Sequence, residues 1–117
     1  MADVARIKKA VENEKFLQRV YTATERRYCD ERGNGAPQSY AARFAGKEAV
    51  AKAFGTGFRG GAWTEIEIVN DELGAPRVKL TGHWEKLARE KGVGKIHLSL
   101  THLNDYAAAE CILEAEK

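Results

Sequence analysis

The chain has 117 residues, 19 Lys+Arg against 17 Asp+Glu, and a formal net charge of +2. That length fits one domain around one core, here 1–117, and the near-balance of charge argues against a nucleic-acid binder, whose basic residues concentrate on one face. No apolar run approaches the roughly 20 residues of a membrane span and no signal-peptide pattern opens the chain, so the cytoplasm is the expected compartment, with Cys29 and Cys111 reduced and outside any Cys-x-x-Cys pair.

Taken in order, Val4, Ile7 and Val11 recur at helical spacing and predict a helix over residues 3–13. A short helical piece follows, holding Phe16, Leu17 and Val20. Thr22-Ala-Thr-Glu25 has the form of a capping box, in which threonine and the glutamate three residues on each satisfy a free backbone N–H. It predicts a helix to about Arg32, with Tyr28 and Cys29 turned inward. Arg6, Lys8, Lys9, Lys15, Arg19, Arg26 and Arg27 make this first third basic. Such charges are either ordinary solvated faces or a docking surface for an acidic partner, where complementarity speeds encounter. Nothing here has the aromatic interleaving or groove-reading helix expected for nucleic acid.

After the loop Gly33-Asn-Gly-Ala-Pro37 comes the one long helix, entered through Ala36-Pro37 and ended by Gly55. At about 100° per residue its side chains sort into stripes. Tyr40, Phe44, Ala51 and Phe54 share one, predicted to be buried. Ala42, Gly46, Ala49 and Ala53 share a second that has almost no side-chain volume and permits close approach. Glu48 and Lys52 lie between, spaced to pair at i,i+4, and Lys47 points toward the aromatic stripe, an odd place for a solvated charge. Two readings stay open: a minor surface salt bridge, or a buried helix that carries Arg43, Lys47, Glu48 and Lys52 into a cleft. Buried charges are costly without partners, a metal or an anionic ligand.

Gly55-Thr-Gly-Phe-Arg-Gly-Gly61 is glycine-rich but has neither the Gly-Lys-Ser/Thr ending of a phosphate loop nor a dinucleotide fingerprint. Then the period changes. Trp63 to Val69 reads as a strand, residues 70–76 as a turn, and the stretch with Val78 and Leu80 as its hairpin partner. Trp84, Leu87 and Ala88 predict a helix over 82–91. Lys95 to Thr101 alternates, with Ile96, Leu98 and Leu100 on one face and His102 at the same parity. That parity suits a satisfied core histidine as well as a ligand contact, and no histidine has zinc spacing with the cysteines. The last strand, Tyr106 to Leu113, is apolar on both faces and so belongs in a covered or central position. The fold class is α+β: N-terminal helices and one long central helix packed on a small antiparallel sheet.

The stretches Arg43-Phe-Ala-Gly-Lys-Glu-Ala-Val-Ala-Lys-Ala-Phe-Gly-Thr-Gly57, Asp71-Glu-Leu-Gly-Ala-Pro76 and Leu98-Ser-Leu-Thr-His102, with Val4-Ala-Arg-Ile7 and Phe16-Leu-Gln-Arg-Val-Tyr-Thr22, resemble the holo-[acyl-carrier-protein] synthases, small single-domain 4'-phosphopantetheinyl transferases. The resemblance implies an enzyme that moves the 4'-phosphopantetheine arm of coenzyme A to a serine of apo acyl carrier protein. It releases adenosine 3',5'-bisphosphate and depends on Mg2+. By the same resemblance Glu48 is a metal ligand and assists catalysis. Lys52 reaches the pyrophosphate, Lys47 is the adjacent cofactor-side lysine, and His102 lines the coenzyme A site. Arg6 and Arg19 receive the acidic helix of the carrier protein. Homotrimers are implied, with active sites between subunits.

The family's opening strand ends in a second metal-ligating aspartate six residues before the arginine matched by Arg6, a position that precedes Met1. Asp3 matches an acidic neighbour three residues later. Two readings follow: the expectation is a chain given without that strand and its aspartate, from a natural protein that starts upstream; the alternative is a truly shortened member, with lower magnesium affinity. A different class of function also fits: a silent module that binds carrier protein or coenzyme A within an assembly.

Overall fold

The computed structural model describes residues 1–116. Ala2–Asp3 form a short strand, β1, and Asp3 then caps helix α1 (Val4–Ala10), its carboxylate accepting from the N–H groups of Ala5 and Arg6. Asn13 caps α2 (Glu14–Val20) in the same way. Thr22 opens α3 (Ala23–Asp30) through the capping box read from the sequence, both reciprocal bonds being present. A 3-10 turn, Gly33–Gly35, leads into α4 (Ala36–Ala53), which has Pro37 in its first turn and stops before Gly55. Gly55 adopts φ +80°, a left-handed conformation that costs glycine little.

Trp63–Glu65 form a second 3-10 turn, so the strand predicted from Trp63 begins three residues later as β2 (Ile66–Asn70). It pairs antiparallel with β3 (Pro76–Leu80), then come α5 (Gly82–Glu90), β4 (Val93–His102) and β5 (Tyr106–Ala115). Instead of one sheet there are two, a hairpin β2-β3 and a three-stranded sheet ordered β1-β5-β4. β5 is the central strand, as its two apolar faces require. The described residues open on a two-residue edge strand that the sequence did not predict, with Ala2 opposite Ala107 and Asp3 opposite Tyr106.

Helix α4 is enclosed on most sides: ten of its residues are buried, including Tyr40, Ala42, Arg43, Gly46, Lys47 and Ala51. One core cluster joins it to α1, α2 and β5 through Val4, Ile7, Val20, Tyr21 and Ala107. A second joins its C-terminal half to the hairpin and α5 through Val50, Phe54, Ile66 and Trp84. Burying side chains of this size contributes roughly 2–3 kcal/mol each before entropy is counted. The small-residue stripe holds at its centre, where a Cβ on Gly46 would stand 2.6 Å from Ile68 Cδ1 and 3.0 Å from Leu100 Cδ2. It ends before Ala53, which is exposed.

Candidate active site

Glu48 leaves α4 half-buried and lines a groove of about 360 Å³ with Asp3, Arg6, Ile7, Phe16 and Phe44. It makes no hydrogen bond or ion pair with any described residue, so the expected Glu48–Lys52 surface bridge is not formed. Lys52 is exposed one turn further on, also without an ion-pair partner among the described residues. Arg6, on α1, borders the same groove. The exposed Arg19, on α2, lies 5.9 Å from the centre of the Phe16 ring that forms one wall. A carboxylate, Arg6 and two phenylalanines therefore meet around one opening, with Arg19 against the Phe16 ring.

Lys47 is absent from it, contrary to its expected cofactor-side position. Its ammonium is wholly enclosed, 2.8 Å from the buried carboxylate of Glu25, and donates to the carbonyls of Trp63 (3.0 Å) and Ile66 (2.5 Å). The three ammonium donors are thus matched by three acceptors, as a buried charge demands. Burial pulls the Lys47 pKa down, and Glu25 opposes that shift. The carboxylate of Glu25 is likewise committed: it accepts from Thr22 N–H at 2.9 Å and Ile68 N–H at 2.8 Å. Sequence reading found Glu25 as a cap, but its long-range partner 22 positions on left no local signal.

A second groove, about 380 Å³, opens elsewhere on α4 and is lined by Arg32, Ser39, Arg43, Asn70 and His102 among others. Arg43 is buried, stacks 4.1 Å over the Tyr28 ring and donates from Nη2 to Asn70 Oδ1, leaving its Nε without a partner. His102 is exposed at the end of β4, opposite Ala107, and is not a satisfied core histidine. Two guanidiniums and an imidazole suit an anion such as a phosphate. Arg43 was only part of the general buried-charge reading; the unpartnered Nε beside His102 is what singles it out. Glu48 and His102 share no groove within one chain.

No group of three or more His, Cys, Asp or Glu side chains that could hold a metal exists among the described residues. Glu48 still fits Mg2+, which binds through one or two carboxylates, keeps several waters and takes its other oxygens from substrate phosphates. Asp3 is nearby in the same groove, though one of its oxygens, Oδ1, already caps α1 at 2.9 Å and 3.3 Å.

These features describe an α+β protein with a carboxylate groove and a basic anion groove on one central helix. Residues 2–111 match the family model of the 4'-phosphopantetheinyl transferase superfamily, and the chain belongs to that family. Within it, the chain is 47% identical over 114 residues to the holo-[acyl-carrier-protein] synthase of Ruminiclostridium cellulolyticum, covering 95% of this chain and 85% of the relative. Among solved structures it is similar to the holo-[acyl-carrier-protein] synthase of Neisseria meningitidis, with TM-score 0.87 and 31% identity over 97% of this chain and 92% of that one. It is also similar to the Helicobacter pylori synthase in complex with coenzyme A, with TM-score 0.83 and 26% identity over 96% and 94% of the two chains.

Proposed function

We propose that this protein is a holo-[acyl-carrier-protein] synthase: it transfers the 4'-phosphopantetheine of coenzyme A to a serine of apo acyl carrier protein and releases adenosine 3',5'-bisphosphate. The observation that carries this reading is Glu48, a half-buried carboxylate with no partner among the described residues, in a groove walled by Arg6, Phe16 and Phe44. Near-full-length similarity to synthases, one of them solved with coenzyme A, supports the donor substrate.

The reaction breaks a pyrophosphate bond by attack of a hydroxyl, so its main demands are charge neutralisation and alignment. Mg2+, when bound, supplies the neutralising charge at the phosphate oxygens. Glu48 holds the metal side of the groove and accepts hydrogen bonds from its water or from the serine. Lys52, one helical turn on, meets pyrophosphate charge with a mobile ammonium. Arg43 and His102 bind the second anionic end of coenzyme A, its ribose phosphate. Arg6 and Arg19 receive acidic side chains of the carrier protein beside the Phe16–Phe44 wall. Among the described residues, Glu48 and Asp3 are the acidic groups that line this groove.

Because Glu48 and His102 line separate grooves, a complete site forms where the Glu48 groove of one protomer faces the His102 groove of another. That arrangement supports the homotrimer with shared sites. Incubation with coenzyme A, Mg2+ and apo carrier protein tests the function. A carrier-protein mass increase of one phosphopantetheine is expected. Its absence at high protein concentration, with coenzyme A still bound, would leave a binding module instead.

A further inference from the structure

Arg43 and Lys47 stand one turn apart on α4, both buried and both tied to β2: Arg43 to Asn70 at its end, Lys47 to Ile66 at its start. Only Lys47 meets a counter-charge, and that carboxylate also grips the next part of β2 through Ile68 N–H. We infer that Glu25 and Lys47 are positioning residues, a buried pin that fixes the rotation and height of α4 against β2 and thereby aims Glu48, the next residue on the helix, at its groove.

Lys47 also holds the Trp63 carbonyl at 3.0 Å, and the Trp63 ring stacks on Phe44 with centroids 4.8 Å apart. Phe44 is itself a wall of the Glu48 groove. The pin thus fixes both the carboxylate and one wall beside it. An apolar contact at the same place would let α4 slide or turn, because the helix presents mainly alanine and glycine to the strands and small side chains give little resistance. Five directional bonds at Glu25 and Lys47 do not allow that freedom. A metal ligand displaced by about 1 Å loses much of its effect.

The inference rests on the transferase reading for the identity of the ligands, and its test does not require turnover. Dissociation constants of coenzyme A are measured by calorimetry with and without Mg2+. The proteins are the wild-type chain, Glu48→Gln, Glu25→Asp and the double variant Glu25→Gln/Lys47→Met, with folding checked by circular dichroism. In the wild type, Mg2+ is expected to tighten coenzyme A binding by about tenfold or more, and in Glu48→Gln by little. In the two pin variants the Mg2+ effect is expected to fall toward that of Glu48→Gln, while metal-free binding stays within about threefold of wild type. An undiminished Mg2+ effect in a folded pin variant would overturn the inference. So would a large loss of metal-free binding, which would make Lys47 a ligand, or unfolding of both variants, which would make the pair a stability element only. Failure of the transferase reading shows separately, as absence of carrier-protein modification by a wild-type chain whose Mg2+ effect is intact.

Discussion

Glu48 and Lys47 are neighbours in sequence with opposite fates, and the difference is one of 100° around a helix. Glu48 faces a groove with its oxygens free, so Glu48→Gln is expected to keep the fold and lower transfer by about a hundredfold or more, the rate equivalent of losing several kcal/mol of metal-mediated charge stabilisation. A rate within twofold of wild type, measured by carrier-protein mass at saturating Mg2+, would remove Glu48 from the metal. Lys47 faces the interior. Lys47→Met alone leaves the Glu25 carboxylate buried beside two unpaired carbonyls, a loss of about 3–5 kcal/mol. Urea unfolding is expected to show Glu25→Gln/Lys47→Met as more stable than that single variant.

Cys29 provides a residue-level test of pH dependence. It is fully buried, accepts a hydrogen bond from the Ser39 hydroxyl at 3.3 Å, and burial pushes its thiol up to about 11 from 9.0. Between those values the native state binds more protons than the unfolded chain, so stability falls as pH rises through this window. The lowered Lys47 acts in the opposite sense, and a comparison with Cys29→Ala isolates the thiol. The wild type is expected to lose about 2 kcal/mol more than Cys29→Ala between pH 9 and 11. Parallel Tm profiles would contradict the burial. Cys29 is also expected to resist thiol reagents at pH 8 until the protein is denatured.

At the scale of elements, α4 decides what surrounds it. Its length, Pro37 entry and Gly55 exit were legible in the sequence because each depends on local backbone chemistry. The capping box of α3 was legible for the same kind of reason, while the apolar faces of β5 left a central or a covered place open until the strand order decided it. The division into two sheets was not, since which strands pair depends on contacts made across the whole chain. The Glu25–Lys47 pin escaped for that reason also: the odd inward lysine was visible, but its partner was not. Gly46 offers a test of the close approach. Alanine normally favours a helix over glycine by about 1 kcal/mol, yet here its Cβ meets Ile68 and Leu100. Gly46→Ala is therefore expected to be destabilising by about 1–2 kcal/mol in urea unfolding, overpacking exceeding the propensity gain. A stabilised Gly46→Ala would mean that the strands stand further from α4 than described.

The whole molecule separates two half-sites. The Glu48 groove has the carboxylate, Arg6 and the Phe16 and Phe44 walls; the His102 groove has Arg32, Arg43 and the imidazole. In the proposed reading, one ligand with a pyrophosphate and a distant ribose phosphate uses both grooves when two protomers cooperate. Symmetric closure then gives as many complete sites as subunits. The most direct measurement is complementation between Glu48→Gln and His102→Ala, each assayed alone and after co-assembly from a denatured 1:1 mixture at limiting coenzyme A. Sites shared between subunits predict two weak enzymes and a mixture that recovers about a quarter of the wild-type sites under random assembly. A mixture no more active than its better component would contradict the shared site.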